Sequence, residues 1–308
     1  MVKAPALSKP RASIKSRRRD EDFVPRLFIT LFVILVDAVM LYPIINVISI
    51  SLSSYTGYLS NPIMLLPTDF SLAAYRQVFQ YSLMLSGYAV TLFVTICGTV
   101  LGVLLTILTA YPLSKKQFRG KGFFMGLILF TMFFSGGMIP SFLLIKSIGL
   151  LDTVWALILP GCVSAYNVIL MRNFFTSLPD SLIEAAEIDG ASEPFILFRI
   201  VVPLSKPIIS TILLFVAFGC WNSYFNAVLY IRSRELWPLQ LVLREIIMSA
   251  TALNQSTGGN IAEIGNAAVQ PIMLQYASIV VAMVPILCIY PFLQKYFEKG
   301  IMMGAVKG

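Results

Sequence analysis

The 308-residue chain contains no histidine. That removes His-based metal sites, Ser-His-Asp and Cys-His triads and imidazole proton relays, so most familiar catalytic schemes lose their base. Charge is scarce as well: 12% of residues are Asp, Glu, Lys or Arg, where soluble domains carry about 25%. With 57% hydrophobic residues, an ordinary soluble enzyme is excluded. The four cysteines, Cys97, Cys162, Cys220 and Cys288, lie far apart in apolar stretches. No pair has metal-ligand spacing and none has the electropositive, accessible setting of a thiolate nucleophile, so they read as membrane-buried packing residues. A P-loop is missing too, because Gly120-Lys121-Gly122 does not meet the G-x-x-x-x-G-K-[ST] spacing.

What the chain has in quantity is long apolar runs. A membrane-crossing helix needs about 20 mainly apolar residues, and six stretches qualify: Phe23–Ile50, Leu83–Leu113, Phe123–Ile145, Val154–Phe175, Pro207–Ile231 and Ile272–Phe292. The first is too long for a signal peptide and no small-residue cleavage site closes it, so it is expected to be retained. Gly98 and Gly102 form a GxxxG close-packing face in the second run, while Ser135-Gly136-Gly137 with Pro140 weakens or kinks the third.

The formal net charge is +8, and its placement says why. Lys3, Lys9, Arg11, Lys15, Arg17, Arg18, Arg19 and Arg26 precede the first run, and Lys115, Lys116, Arg119 and Lys121 follow the second. Arg172, Arg199 and Lys206 flank the connection between the fourth and fifth, and Lys295, Lys299 and Lys307 follow the sixth. Only Arg76, Lys146, Arg232, Arg234 and Arg244 remain for the opposite side. The positive-inside rule then makes the basic side cytoplasmic, with both termini of a multi-pass membrane protein inside. Residues 1–22 read as a disordered basic cytoplasmic tail near anionic headgroups of the lipid bilayer, with no nucleic-acid partner. Residues 23–308 read as one transmembrane domain with external loops 51–82 and 232–271 that touch something outside. Asp37 is the one charge deep in a run. It is either a carboxyl hydrogen-bonded to a neighbouring helix or an ion-coupling site, and a single acid makes a poor relay.

The connection 178–207 departs from a membrane pattern, since Asp180, Glu184, Glu187, Asp189 and Glu193 crowd into it. Ser181 with Glu184 three residues on suggests a capping box, Asp189-Gly190 a helix stop, and Ser192-Glu193-Pro194 a second start that Pro203 and Pro207 end. The expected object is a helix, a Gly turn and a helix. Ala185, Ala186 and Ala191 keep it narrow, and Phe195 and Phe198 lie on the second helix. Such a knob suits a partner's cleft, although spacing alone equally allows an amphipathic linker.

Glu184-Ala185-Ala186-Glu187-Ile188-Asp189-Gly190-Ala191, followed by Phe198 and by Pro203-Leu204-Ser205-Lys206-Pro207, resembles the full EAA motif of ABC-importer permease subunits, EAAxxDGA…P…P. A lone EAA triplet says nothing; this register, just before the fifth of six runs, is specific. The end of the chain, from Gln294-Lys295-Tyr296-Phe297-Glu298-Lys299-Gly300 to Gly304-Ala305-Val306-Lys307-Gly308, and Trp221-Asn222-Ser223-Tyr224-Phe225 resemble the maltose-permease-like carbohydrate branch. The resemblance implies an all-α membrane protein with six transmembrane helices and the type I ABC importer permease fold. It implies that this chain is half of the pathway for a sugar, an oligosaccharide and in some relatives an acidic one. Its partners would be a second permease subunit in a heterodimer, two cytoplasmic ATP-binding subunits and an external solute-binding protein. This chain would bind no cofactor, ATP and Mg residing on the partner subunits. Glu184, Ala185, Ala186, Asp189, Gly190 and Ala191 would form the coupling helix that docks in the ATPase, with a further contact from Gly304, Val306, Lys307 and Gly308.

Two further groups carry expectations. Trp221, Asn222, Tyr224, Phe225 and Asn226 combine rings and amides that suit sugar faces and hydroxyls, and that equally suit helix packing. Asn254, Gln255, Ser256, Thr257, Gly258, Gly259 and Asn260 form a polar Gly-rich stretch where maltose-type permeases probe the binding protein, or a passive loop. Other readings are an ABC importer of another small solute, an ion-coupled secondary carrier disfavoured by the single intramembrane acid, and a membrane enzyme, for which no converging carboxylates or ligands appear.

Overall fold

The structure, a computed structural model, describes residues 23–61, 63–256 and 270–305. Among the described residues it is helical, and the one β feature is an isolated bridge, Ser53 to Phe70. Two compact units divide at Ser71 and Leu72.

The first unit holds α1 (Phe23–Ser51) and α2 (Tyr55–Ser60). Helix α1 is apolar along its length and buries only its last turns, Ile50 and Ser51 among them. The chain after α2 returns to those turns through polar contacts: Asn46 donates to the Met64 carbonyl at 3.0 Å, Ser49 to that of Leu65 at 2.8 Å, and Ser53 Oγ accepts from the Thr68 amide at 3.0 Å. Asp37 is exposed on α1 and has no hydrogen-bond partner among the described residues. The expected bond to a neighbouring helix is therefore not formed within this unit.

The second unit is built around α4 (Ser82–Ser114), which follows α3 (Ala73–Gln80). Then come α5 (Lys121–Phe133), α6 (Met138–Ser147), α7 (Trp155–Ile158), α8 (Ala165–Thr176) and α9 (Asp180–Ile188). Helix α10 (Glu193–Ile196) runs through a π turn (Leu197–Val201) into α11 (Val202–Leu204), and α12 (Lys206–Trp221), α13 (Phe225–Tyr230), α14 (Leu239–Ser256) and α15 (Pro271–Ala305) complete it. Helix α4 packs mainly on α12 and α8, and Gly98 and Gly102 make that approach possible. A Cβ on Gly98 would lie 2.9 Å from Cys220 Sγ, and one on Gly102 2.9 Å from the Cys162 carbonyl oxygen. The GxxxG is thus a contact face that admits two neighbours.

Three helices, α1, α4 and the apolar part of α15, are long and apolar enough to cross a membrane unbroken. The third, fourth and fifth apolar runs are not straight. Helices α5 and α6 meet at 114° across Phe134–Gly137, the Gly and Pro segment of the sequence. A 50° bend follows the short helical turn Leu159–Gly161, and an 84° bend separates α11 from α12. That last bend lies just ahead of the fifth run, which is itself interrupted at Asn222–Tyr224, between α12 and α13. Proline at 160 and 207 cannot donate a helical N–H, which places two of these breaks. Cys162 is buried, with Cys97 and Cys220 packed in the same cluster, and Cys288 is exposed at the end of the apolar part of α15.

Candidate functional site

The acidic connection folds into a knob whose shape follows from its sequence. Helix α9 starts after Pro179, with Asp180 in its first turn. The capping box expected from Ser181 and Glu184 is absent: the helix begins two residues earlier than that box requires, so Ser181 lies inside the first turn, and Pro179 contributes no side-chain cap. Asp180 supplies the negative charge that favours a helix N-terminus. At the other end the stop is complete. The Gly190 amide donates to the Glu187 carbonyl at 3.1 Å and the Ala191 amide to that of Ala186 at 3.0 Å, the paired bonds of a Schellman turn. This requires a left-handed residue, and Gly190 has φ +77°.

The inner side of the knob is core. Ile183, Ala186 and Ala191 pack with buried Ile196, Leu197 and Val201 onto Val103, Ile107, Ala110 and Tyr111 of α4 and onto Val168, Met171 and Phe175 of α8. The outer side carries uncovered apolar residues among its acids: Leu182, Ile188, Phe195 and Phe198 are exposed, Ile188 to 86%.

Three of the five acids hold the knob in place. Lys115, just past the end of α4, donates to Glu187 and to Glu193, both at 3.1 Å, and stands over the Tyr111 ring. Tyr111 donates its hydroxyl to the other oxygen of Glu193 at 2.5 Å. Lys116 pairs with Asp180 at 2.6 Å. Burial alone would lower the Lys115 pKa, but the bonds to Glu193 and Glu187 outweigh it and hold the ammonium above its ordinary value. Burial would likewise raise Glu193, and the bonds from Tyr111 and Lys115 reverse that, keeping the carboxyl below its usual range. Arg172 of α8 donates to the Leu113 carbonyl at 3.3 Å, capping the end of α4. Glu184 and Asp189 carry no ion pair and stay exposed. Between the α4 end and α9 opens a cavity of about 590 Å³, lined by Tyr111, Lys115, Lys116, Phe175, Asp180, Ile183, Glu184 and Glu187. Lys115, Lys116, Tyr111 and Arg172 are the residues that sequence reasoning missed. The available signal was a Lys-Lys pair following one apolar run, on the same side as an acid-crowded connection.

The opposite end of the unit has its own clamp. Asp152, at φ +59°, accepts from the Arg232 and Ser233 amides at 2.8 Å and from the Ser233 hydroxyl at 2.6 Å. These bonds, that of the Ser233 hydroxyl foremost, hold its carboxyl below the ordinary range. Of the ring and amide residues, Trp221 is buried and packs edge-on against Tyr88, whereas Asn222, Tyr224 and Phe225 are exposed at the break in the fifth run and Asn226 is half-buried. Asn254, Gln255 and Ser256 close helix α14 and are not part of a loop as expected. Thr257, Gly258, Gly259 and Asn260 lie outside the described residues, as do residues 1–22 and Val306, Lys307 and Gly308. Gly304 falls in the last turn of α15. Among the described residues, no three His, Cys, Asp or Glu side chains converge as metal ligands.

Residues 98–303, which contain the whole knob, match the family described as "Binding-protein-dependent transport system inner membrane component". The chain belongs to that family. Its relatives include the polygalacturonan/rhamnogalacturonan transport system permease protein YtcP of Bacillus subtilis, 43% identical over 90% of this chain and 96% of the relative. Protein LplC of the same organism is also 43% identical, over 89% of this chain and 91% of its own length. A solved chain from a bacterial ABC transporter "involved in the import of the acidic polysaccharide alginate" superposes with a TM-score of 0.83 at 34% identity, covering 94% of this permease and all of that chain. This permease therefore has the all-α ABC-importer permease fold and serves sugar or oligosaccharide import as a membrane-integral transport subunit that works with a solute-binding protein.

Proposed function

We propose that this permease forms half of the translocation pathway of a bacterial importer for oligosaccharides that carry carboxylates. Its partner would be a second, different permease subunit, and two cytoplasmic ATP-binding subunits would supply the energy. In this reading ATP and Mg²⁺ reside on those subunits, this chain hydrolyses nothing, the six apolar runs each cross the inner membrane, and both termini are cytoplasmic. Support for an acidic substrate comes from what the relatives handle: polygalacturonan and rhamnogalacturonan in one, alginate in another.

The observation that carries the energetic part is the knob. Leu182, Ile188, Phe195 and Phe198 form an uncovered apolar surface on a narrow helical turn. Exposed apolar clusters on a rigid element suit burial in a partner's cleft. Glu184, exposed and unpaired, is available for a cation there, and Lys115 ties the knob to α4. Closure of the two ATP-bound subunits would carry the docked knobs together and tip the bundle from inward- to outward-facing as a rigid-body, two-state change. Glu184→Lys is expected to leave membrane insertion intact while abolishing binding-protein-stimulated ATPase activity and uptake in the reconstituted importer. Uptake equal to wild type would sink the coupling role. ATPase stimulation by the binding protein loaded with oligogalacturonides, measured against neutral oligosaccharides, tests the substrate class.

A further inference from the structure

Three arginines follow the fifth run, Arg232, Arg234 and Arg244, and the structure gives them different fates. Arg234 donates to Glu245 at 2.7 Å and lies over Trp237, so its charge is balanced. The Arg232 amide is bound by Asp152, whose carboxylate also faces its positive charge. Arg244 is exposed on α14, has no carboxylate partner among the described residues, and holds its guanidinium over the Tyr224 ring at 5.3 Å from the centroid, within cation–π range. Tyr224 is itself exposed, in the unwound segment between α12 and α13. Beside it Asn222 is exposed and donates its amide N–H to the Phe218 carbonyl at 2.9 Å, which leaves its side-chain oxygen free to accept.

We propose that Arg244, held over Tyr224, is the residue with which this permease recognises the carboxylates of its substrate. The proposal rests on the acidic-oligosaccharide reading above and assigns that selectivity to one side chain. A uronide unit presents an apolar ring face and, a few ångströms away, a carboxylate. An aromatic ring is the complement of the first. A guanidinium is the complement of the second, because its planar fork binds a carboxylate bidentately, and stacking on an aromatic face leaves the N–H edges of that fork open. Sugar passing Tyr224 meets both groups together, with Asn222 beside them to accept from a hydroxyl.

The site stands on rigid backbone. The buried Leu239 amide at the start of α14 donates to Thr91 Oγ1 of α4 at 2.8 Å. Gly87 of α4 lies so close that a Cβ there would be 3.3 Å from Leu239 Cα and 3.2 Å from Val242. Arg244 is in the second turn of this pinned helix, so its backbone is held in place without a ligand, which lowers the ordering cost of binding.

The test uses the complete importer in proteoliposomes with its binding protein, and compares uptake of short oligogalacturonides with that of the same oligomers methyl-esterified, which removes the charge and keeps the skeleton. Arg244→Gln is expected to lower uptake of the acid by about tenfold, the order of one lost charge-assisted contact. It should erase the preference over the ester. Acid uptake equal to wild type in Arg244→Gln overturns the assignment while the acidic reading stands. A wild-type importer that takes up neither galacturonide, yet takes up a neutral oligosaccharide, overturns the acidic reading itself. If Arg244→Gln fails to assemble with its partner subunits, Arg244→Lys replaces it, with a smaller selective loss expected because charge is kept and the fork is not. Full acid uptake in Arg244→Lys then overturns the fork geometry.

Discussion

Position 190 offers a sharp test of how the knob is made. Gly190 has φ +77° and closes the turn after α9, yet nothing lies within 4 Å of where its Cβ would be. A substitution there is therefore opposed by backbone conformation alone and not by crowding. For alanine the left-handed conformation costs about 1–2 kcal/mol, against a tenfold change in population for each 1.4 kcal/mol or so. Gly190→Ala should thus lower occupancy of the native turn roughly tenfold relative to competing turns, partly offset by the Lys115 and Lys116 anchors on either side. Asparagine tolerates the left-handed region better and should cost less. Proline fixes φ near −65° and removes the N–H that bonds Glu187, so it cannot form the turn. The assay is binding-protein-stimulated ATPase activity and uptake in proteoliposomes, each variant first matched for the amount of assembled complex. The expected order is wild type, Asn, Ala, Pro, with Pro inactive. An asparagine variant worse than alanine, or an active proline variant, would refute the argument, because either result means that φ at 190 does not set the turn.

Lys115→Met removes two of the three ion pairs to the knob and leaves that of Lys116 with Asp180. Since Glu187 and Glu193 are 46% and 61% exposed, each pair contributes about 0.2–1 kcal/mol after solvent screening, and stimulated ATPase activity should fall by severalfold. Glu193 titrates below its ordinary 4.5 when folded, so the stability from its pairing is full above that value and is lost as pH falls through the lowered pKa; Lys115 loses its share only as pH rises through a value above 10.5. Thermal melts of wild type and Lys115→Met should therefore differ by a constant amount through neutral pH and converge in acid. Thr91→Val deprives the buried Leu239 amide of its acceptor and is expected to cost about 1–3 kcal/mol in a detergent melt, whereas Thr91→Ser should be milder. At the α4 contact face Gly102→Ala should destabilise more than Gly98→Ala, because the first meets a backbone carbonyl at 2.9 Å and the second a cysteine sulfur that can rotate away; equal melting temperatures would contradict the close approach.

Much of this protein is legible in its amino-acid sequence, because the properties concerned are local. The length and apolarity of a run, a Gly after a short acidic helix, and a Pro inside an apolar segment each act within a few residues. They locate the long helices α1, α4 and α15, the break at Phe134–Gly137, the turn at Gly190 and the narrow face of Gly98 and Gly102. The family, too, is readable from Glu184 to Pro207. What the sequence does not decide depends on residues far apart along the chain. Lys115 meets Glu187 and Glu193 across 72 and 78 positions, so nothing local distinguishes it from a lysine that merely marks the basic side. The same holds for Arg244. By composition it is one of three equivalent loop arginines, and only the packing of α14 on α4 and the break after Trp221 set it on Tyr224 while Glu245 neutralises Arg234. Sequence determines where the long apolar helices lie, where the knob turns at Gly190 and what family they make. Tertiary structure decides which charges are spent on holding the fold and which remain for a partner or a substrate, because a charge is neutralised by what lies within a few ångströms of it and not by its neighbours in the chain.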